Sequence, residues 1–262
     1  MRRDNLPTIL AIGVIAYVGE TLLHELVGHG GVCLALGGHV TKLAPLWMNC
    51  SDASPWLVAA GPTMNLLAAA LVLALIWSQQ PRGPAHRMLL WLGFAFNALV
   101  AAGYMVVGGA AGFGDWSVLF DPIHPALIWR LPALLIGLVG YAGGLAWAAK
   151  AYIRLNGAGL SKARVWSRTI APAAGAAFVA SAAEIVGGRT QASPLVLALS
   201  CTLFVGLTLS RLGADGAPDE DRVPFNAVLV VTGVLVGVAF IWVIGPGVDL
   251  SGLVRWGRPS SS

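Results

Sequence analysis

Charged side chains are scarce in this chain. Asp, Glu, Lys and Arg make up 11% of its 262 residues, against about a quarter in an ordinary soluble domain. Hydrophobic residues make up 57% and the mean hydropathy is +0.76. A water-soluble globular fold is therefore excluded, and an all-α, polytopic transmembrane helical bundle in a lipid bilayer is expected. Cysteine is nearly absent: Cys33, Cys50 and Cys201 show no C-x-x-C pairing, which removes the zinc-ribbon and thioredoxin-like motifs. Cys33 and Cys50 flank the first loop and a bridge across it is an alternative, but buried free thiols are expected. No polar stretch is long enough for a soluble domain, and no internal repeat is evident. The basic excess, a formal charge of +4, lies in short segments between apolar runs. It reads as an orientation signal rather than a nucleic-acid surface. The apolar run after Met1-Arg2-Arg3-Asp4 outlasts the roughly 7–15 residues of a signal-peptide core, so it is expected to be a retained helix.

Runs long enough to cross a bilayer, roughly 20 residues, fall near 7–36, 56–78, 88–111, 131–153, 169–187, 193–211 and 224–245. Seven helices are expected, or six if one of the fifth and sixth runs is re-entrant. Those two are separated only by Gly188-Arg189-Thr190-Gln191-Ala192. The first run is long for one crossing and is expected to bend or leave the membrane beyond Gly30-Gly31. With a cytoplasmic N-terminus, one face receives Arg2, Arg3, Arg82, Arg87, Lys150, Arg154, Lys162, Arg164, Arg168, Arg211 and Arg222. The other receives Lys42, Arg130, Arg189, Arg255 and Arg258, so the balance is 11 to 5. The positive-inside rule then favours a cytoplasmic N-terminus and an extracytoplasmic C-terminus, and an integral protein of a bacterial inner membrane is expected.

Within the first run stands His24-Glu25-Leu26-Val27-Gly28-His29. Imidazoles and a carboxylate are costly in hydrocarbon and mark a functional site there. A metalloprotease helix places its histidines four residues apart; these are five apart and would diverge by about 140° on a regular helix. A π-bulge near Val27-Gly28 would restore a shared face, and Gly28 weakens the local α-helix preference. The alternative is two buried ion pairs, Glu20 with His24 and Glu25 with His29. The hexapeptide resembles the His-Glu-x-x-x-His motif of the dipeptidyl peptidase III family, in which both histidines bind zinc and the glutamate activates water.

Gly61-Pro62-Thr63-Met64-Asn65 opens the second run, with Pro62 suited to a first helical turn. At this point residues 10–120 resemble the site-2 protease family of intramembrane zinc metalloproteases. There a His-Glu helix is followed by a short membrane-associated hairpin and a helix opening Gly-Pro-x-x-Asn. Residues 36–47 suit that hairpin. The resemblance implies a Zn2+ cofactor held by His24, His29 and an aspartate from the third core helix, with Glu25 as general base. The family's Leu-Asp-Gly context is missing, and topology favours Asp115 over Asp121; His124 and His39 are fallback ligands. Asn65 is expected to hold the substrate strand or the oxyanion. The implied layout is a core of 1–120 carrying the zinc site, with further helices of the same membrane domain in 121–262. The implied function is endopeptidase cleavage of a membrane-protein or peptide substrate. The alternatives are a non-proteolytic protein of this architecture and a metal or proton transporter. The charge count places the site near the extracytoplasmic face, whereas the family implies the cytoplasmic side.

Three further features carry expectations. Glu184 in the fifth run is expected to make a structural hydrogen bond to a neighbouring helix. Trp56, Trp77, Trp129 and Trp242 are expected as interfacial anchors. Small-residue stretches around Gly137, Gly140, Gly143 and Gly144 are expected at close helix crossings.

Overall fold

The apolar runs become helices whose limits lie close to those expected from hydropathy. The computed structural model describes residues 4–52, 54–78, 83–156, 161–189, 203–210 and 222–251. Its helices are α1 (Leu6–Ala35), α2 (Pro55–Ser78), α3 (Pro84–Ala111), α4 (Asp115–Phe120), α5 (Leu127–Asn156), α6 (Lys162–Val186) and α7 (Ala227–Ile244). All but the short α4 are long and apolar enough to cross a bilayer, which makes six candidate spans among the described residues. The expected run at 193–211 lies mostly outside the described residues; its described part, 203–210, is helical. Cys201 and the acidic run Asp219-Glu220-Asp221 also lie outside them. Helix α1 continues through Gly30-Gly31 to Ala35, so the chain does not break at the two glycines.

Helix α1 starts at a side-chain cap, with Asn5 Oδ1 accepting from Thr8 N at 3.0 Å and from Thr8 Oγ1 at 2.8 Å. It runs through the middle of the bundle, against α3, α6 and α7. The close approaches are made by small residues, as expected where packing rather than water exclusion drives helix association. A Cβ at Gly13 would collide with the Pro172 backbone of α6, and one at Gly233 of α7 would lie 2.7 Å from Ala11 Cβ. Gly137 likewise lets α5 reach Val106 of α3, whereas nothing stands near Gly143. Between these crossings Ile9, Ile12, Trp91, Leu92, Phe96, Leu99, Val205 and Phe240 are fully buried. Large apolar side chains such as Val139, Phe178, Val228 and Leu235 point outward, the face a bilayer covers.

Both ends of the bundle are tied by polar groups. At the end where the chain begins, Arg168 of α6 donates to both carboxylate oxygens of Asp4 (2.9 and 3.0 Å) and to Asn156 Oδ1 (3.2 Å). Asp4 Oδ1 also accepts from Val223 N at 2.8 Å, and Asn5 N donates to the Val223 carbonyl at 2.9 Å. At the opposite end Glu184 forms an ion pair with Arg189 (3.0 and 3.2 Å), and Arg189 reaches the Gly245 carbonyl at 2.9 Å. Glu184 therefore meets a cation in the following turn rather than a neighbouring helix. Trp56, Trp77 and Trp242 are exposed, but Trp129 is only 8% exposed and packs on Phe120 at 5.8 Å between centroids, so it is a core residue and no anchor.

After α1 the chain turns at Gly37 (φ +84°), a left-handed conformation suited to glycine, into an antiparallel hairpin of β1 (Val40–Ala44) and β2 (Trp47–Cys50). β3 (Val248–Asp249), after α7, pairs with the other edge of β1, giving the order β2-β1-β3. The hairpin folds back so that Cys50 meets Cys33 of α1 in a disulfide with Cα atoms 5.9 Å apart, inside the usual range. The expectation of free thiols is thus corrected: the loop that separates the cysteines in sequence is the bend that brings them together.

The Asp4–Arg168 pair yields a stability prediction. Burial would raise the Asp4 carboxyl, but the hydrogen bonds and charge of Arg168 outweigh it and hold it below its ordinary 3.8. Its contribution is therefore present above that pH and lost as acidification passes the lower folded value. Arg168→Met, which strands a buried carboxylate, should cost about 3–5 kcal/mol, and adding Asp4→Asn should restore part of it; thermal unfolding in detergent measures both.

Candidate metal centre

The surplus residue between the histidines is absorbed by helix winding. From Leu23 to Gly30, α1 is a π-helix, whose i→i+5 hydrogen bonds bring residues five apart onto one face. The expected bulge is present, and it spans eight residues instead of a local step at Val27-Gly28. His24 and His29 consequently face the same point, with Nε2 atoms 3.3 Å apart and rings edge to face at 4.9 Å. Neither of the two alternative ion pairs forms: the histidine nitrogens turn to Asp115 and to backbone, and Glu25 Oε2 is buried without a partner.

Asp115 arrives from the end of α3. Gly112 (φ +68°) and Gly114 (φ +87°) reverse the chain so that Asp115, at the start of α4, overhangs the histidines. Its Oδ2 lies 3.1 Å from His24 Nε2 and its Oδ1 3.6 Å from His29 Nε2. Burial would raise the Asp115 carboxyl, but the two histidines facing it prevail and hold it at about 2. His29 Nδ1 donates to the Leu57 carbonyl at 2.7 Å, which leaves Nε2 free to act as a ligand. His24 is stacked on Tyr104 (5.2 Å, 22°).

These separations can be compared with a metal shell. Tetrahedral zinc, with bonds of 2.0–2.1 Å to nitrogen and 2.0–2.2 Å to oxygen, sets its ligand atoms roughly 3.3–3.5 Å apart. Here the two Nε2 atoms are 3.3 Å apart, and the Asp115 carboxylate comes within 3.1 Å of one through Oδ2 and 3.6 Å of the other through Oδ1. His24, Glu25 and His29 themselves form a buried group with ligand atoms within 4.8 Å of one another, so the donor set fits a metal ion.

Gly61 completes the cradle. Helix α2 begins at Pro55, which places Pro62 inside the helix and not in its first turn as expected. The Gly61 position then presses on the π-segment: a Cβ there would lie 2.5 Å from His24 Nε2 and closer still to His29 Nε2, where an ion would sit. A Cβ at Gly28 would lie 2.8 Å from Gly61 Cα, so both glycines are required for the crossing. One turn along α2, Asn65 is fully buried and donates to Glu20 Oε1 at 2.7 Å. Asp121, His124 and His39 are exposed and stand outside the cluster. Glu20, Tyr104 and the Leu57 carbonyl adjoin the centre without a motif; Glu20, four residues before His24 in a membrane-spanning run, carried the one signal.

Gly61→Ala is the selective disruption. Alanine favours helix over glycine by about 1 kcal/mol, so α2 should persist, while the methyl group occupies the space between the imidazoles. Zinc bound per chain should fall from about one to near zero with circular dichroism unchanged; full zinc content in this variant would place the ion elsewhere.

No protein-family model, curated protein or solved structure matches the chain.

Proposed function

We propose that this chain is a zinc-dependent intramembrane endopeptidase of the site-2 protease type. The observation that carries the reading is the spacing of His24 Nε2, His29 Nε2 and the Asp115 carboxylate, 3.1–3.6 Å from one another, with the buried carboxylate of Glu25 beside them. His24, His29 and Asp115 would hold the ion, within the part of the chain, 1–120, that we read as the protease core. Zinc bound there supplies Lewis-acid polarisation of a peptide carbonyl and acidifies water at its open position.

Glu25 is the general base. It takes a proton from water as the new C–O bond forms, and returns it to the amide nitrogen as the C–N bond breaks. Its burial between α1 and its neighbours keeps competing bulk water away. A substrate helix must unwind to expose a carbonyl. β1 is paired on both edges, so within the hairpin it is β2 that offers an outer edge for strand addition.

We place the centre at the extracytoplasmic face. Two independent facts support this: the basic residues favour the end of α1 remote from the centre, and the Cys33–Cys50 disulfide stands at the same end as the centre, as in an oxidising compartment.

Two experiments test the reading. Wild-type protein should carry about one zinc per chain, lost in His24→Ala and His29→Ala; Glu25→Gln should keep zinc and lose about 10²–10⁴-fold in cleavage of quenched transmembrane peptides in liposomes. A metal-free wild type, or undiminished cleavage by Glu25→Gln, overturns it, and zinc-dependent ion flux without cleavage would indicate a transporter. For orientation, alkaline phosphatase fused after Asp249 should be active and after Asn156 inactive; the reverse pattern puts the centre at the cytoplasmic face.

A further inference from the structure

The polar groups below the histidines are unexplained by the ligand set. His24 Nε2 faces Asp115 and His29, but its Nδ1 is buried with no partner. A histidine that offers the Nε2 lone pair to a metal carries its proton on Nδ1, and such an N–H almost always finds a carboxylate, carbonyl or water. His29 satisfies this rule through Leu57. Among the described residues His24 Nδ1 has no acceptor in reach.

Glu20 is the nearest candidate acceptor by position. It lies four residues before His24, in the regular part of α1, and so on the same face. It is almost wholly buried in a membrane-spanning helix, where a carboxylate needs a counter-charge or hydrogen-bond partners. Asn65 donates to one of its oxygens at 2.7 Å and Thr21 to the other at 3.4 Å. Among the described residues no Lys or Arg forms an ion pair with it. Glu20 and His24 share a cavity of about 20 Å³ with Tyr17, Thr21, Glu25 and Tyr104, large enough and polar enough for one water molecule.

We propose that Glu20, clamped by Asn65, is a positioning residue for the metal centre, acting on His24 Nδ1 through a single bound water. This rests on the reading of His24 as a ligand. It gives Asn65 a task other than the substrate contact expected of it: the amide holds the carboxylate that orients the histidine. It also accounts for a carboxylate buried without a basic partner, because the ion reached through His24 supplies the positive charge.

The test is Zn2+ affinity of the full chain in detergent, by competition with a chelating dye, together with the visible absorption of the Co2+-loaded protein. Glu20→Gln keeps the size and the contact with Asn65 but removes the charge; Glu20→Leu removes both. The zinc dissociation constant should rise about 10-fold in the first and towards 100-fold in the second, with shifted Co2+ bands and stoichiometry still near one. Glu184→Gln, which alters a buried carboxylate paired with Arg189 and outside the ligand set, should leave both readouts unchanged. Affinities within twofold of wild type and an unshifted Co2+ spectrum in both Glu20 variants overturn the proposal while leaving the metal centre standing. A wild type that binds no zinc overturns both. Should the Glu20 variants fail to fold, nitrogen NMR of zinc-loaded wild type labelled in histidine decides: a protonated His24 Nδ1 supports the proposal, and metal on Nδ1 overturns it.

Discussion

Five residue steps separate His24 from His29, and the geometry around the centre follows from making those five steps into one turn. A regular α-helix would leave the rings on different sides; the π-winding of 23–30 brings them together at the cost of poorer local packing. That cost is offset from outside. Helix α2 lies against the widened segment closely enough that Gly28 and Gly61 meet nearly backbone to backbone. The absence of side chains at this crossing has two consequences. It lets α2 support the π-turn, with Leu57 fixing the ring of His29, and it leaves the space between the imidazoles clear.

The placement of Asp115 depends on a different kind of constraint. Asp115 has to come back over the end of α1 from a helix that runs past it. Two glycines in left-handed conformations, Gly112 and Gly114, make that reversal within a few residues. Gly114 also passes so near the ring of Tyr104 that a Cβ would stand 2.9 Å from it, and Tyr104 in turn backs His24. On the other side the hairpin is strapped to α1 by Cys33–Cys50 and to the end of α7 by β3. The centre is thus gripped by segments from α1, α2, α3 and the sheet.

What was legible in the sequence is what local chemistry encodes. Hydropathy marks the spans, because bilayer thickness sets their length. The His-Glu hexapeptide announced both the cluster and the need for a bulge, since a helix of known pitch has only one easy way to absorb a surplus residue. Asp115 followed from counting crossings. What was illegible depends on how distant segments meet. Nothing near Cys50 says that β2 folds back onto Cys33. Arg168 reads as a loop cation, yet it is buried because Asp4, 164 residues away, is beside it. Trp129 reads as an anchor until α4 puts Phe120 against it. Asn65 reads as a substrate contact because its motif suggests one, whereas the register of α1 and α2 sets it opposite Glu20.

The charge balance of the centre joins these observations to the chemistry. Glu20, Glu25 and Asp115 gather around the two histidines, and among the described residues no Lys or Arg forms an ion pair with them. Three ionised carboxylates and two neutral imidazoles sum to a charge of −3, which a low-dielectric interior does not tolerate. A divalent cation brings that sum to −1. One proton brings it to zero, and of the three carboxylates Glu25 is the one without a hydrogen-bond donor on its buried oxygen; Asp115 is held by the histidines and Glu20 by Asn65. Glu25 is therefore the carboxylate in the site with the least local compensation. The burial that makes the cluster costly to assemble is thus the reason it calls for a cation: a metal held by these side chains would offset carboxylate charge that a low-dielectric interior cannot otherwise support.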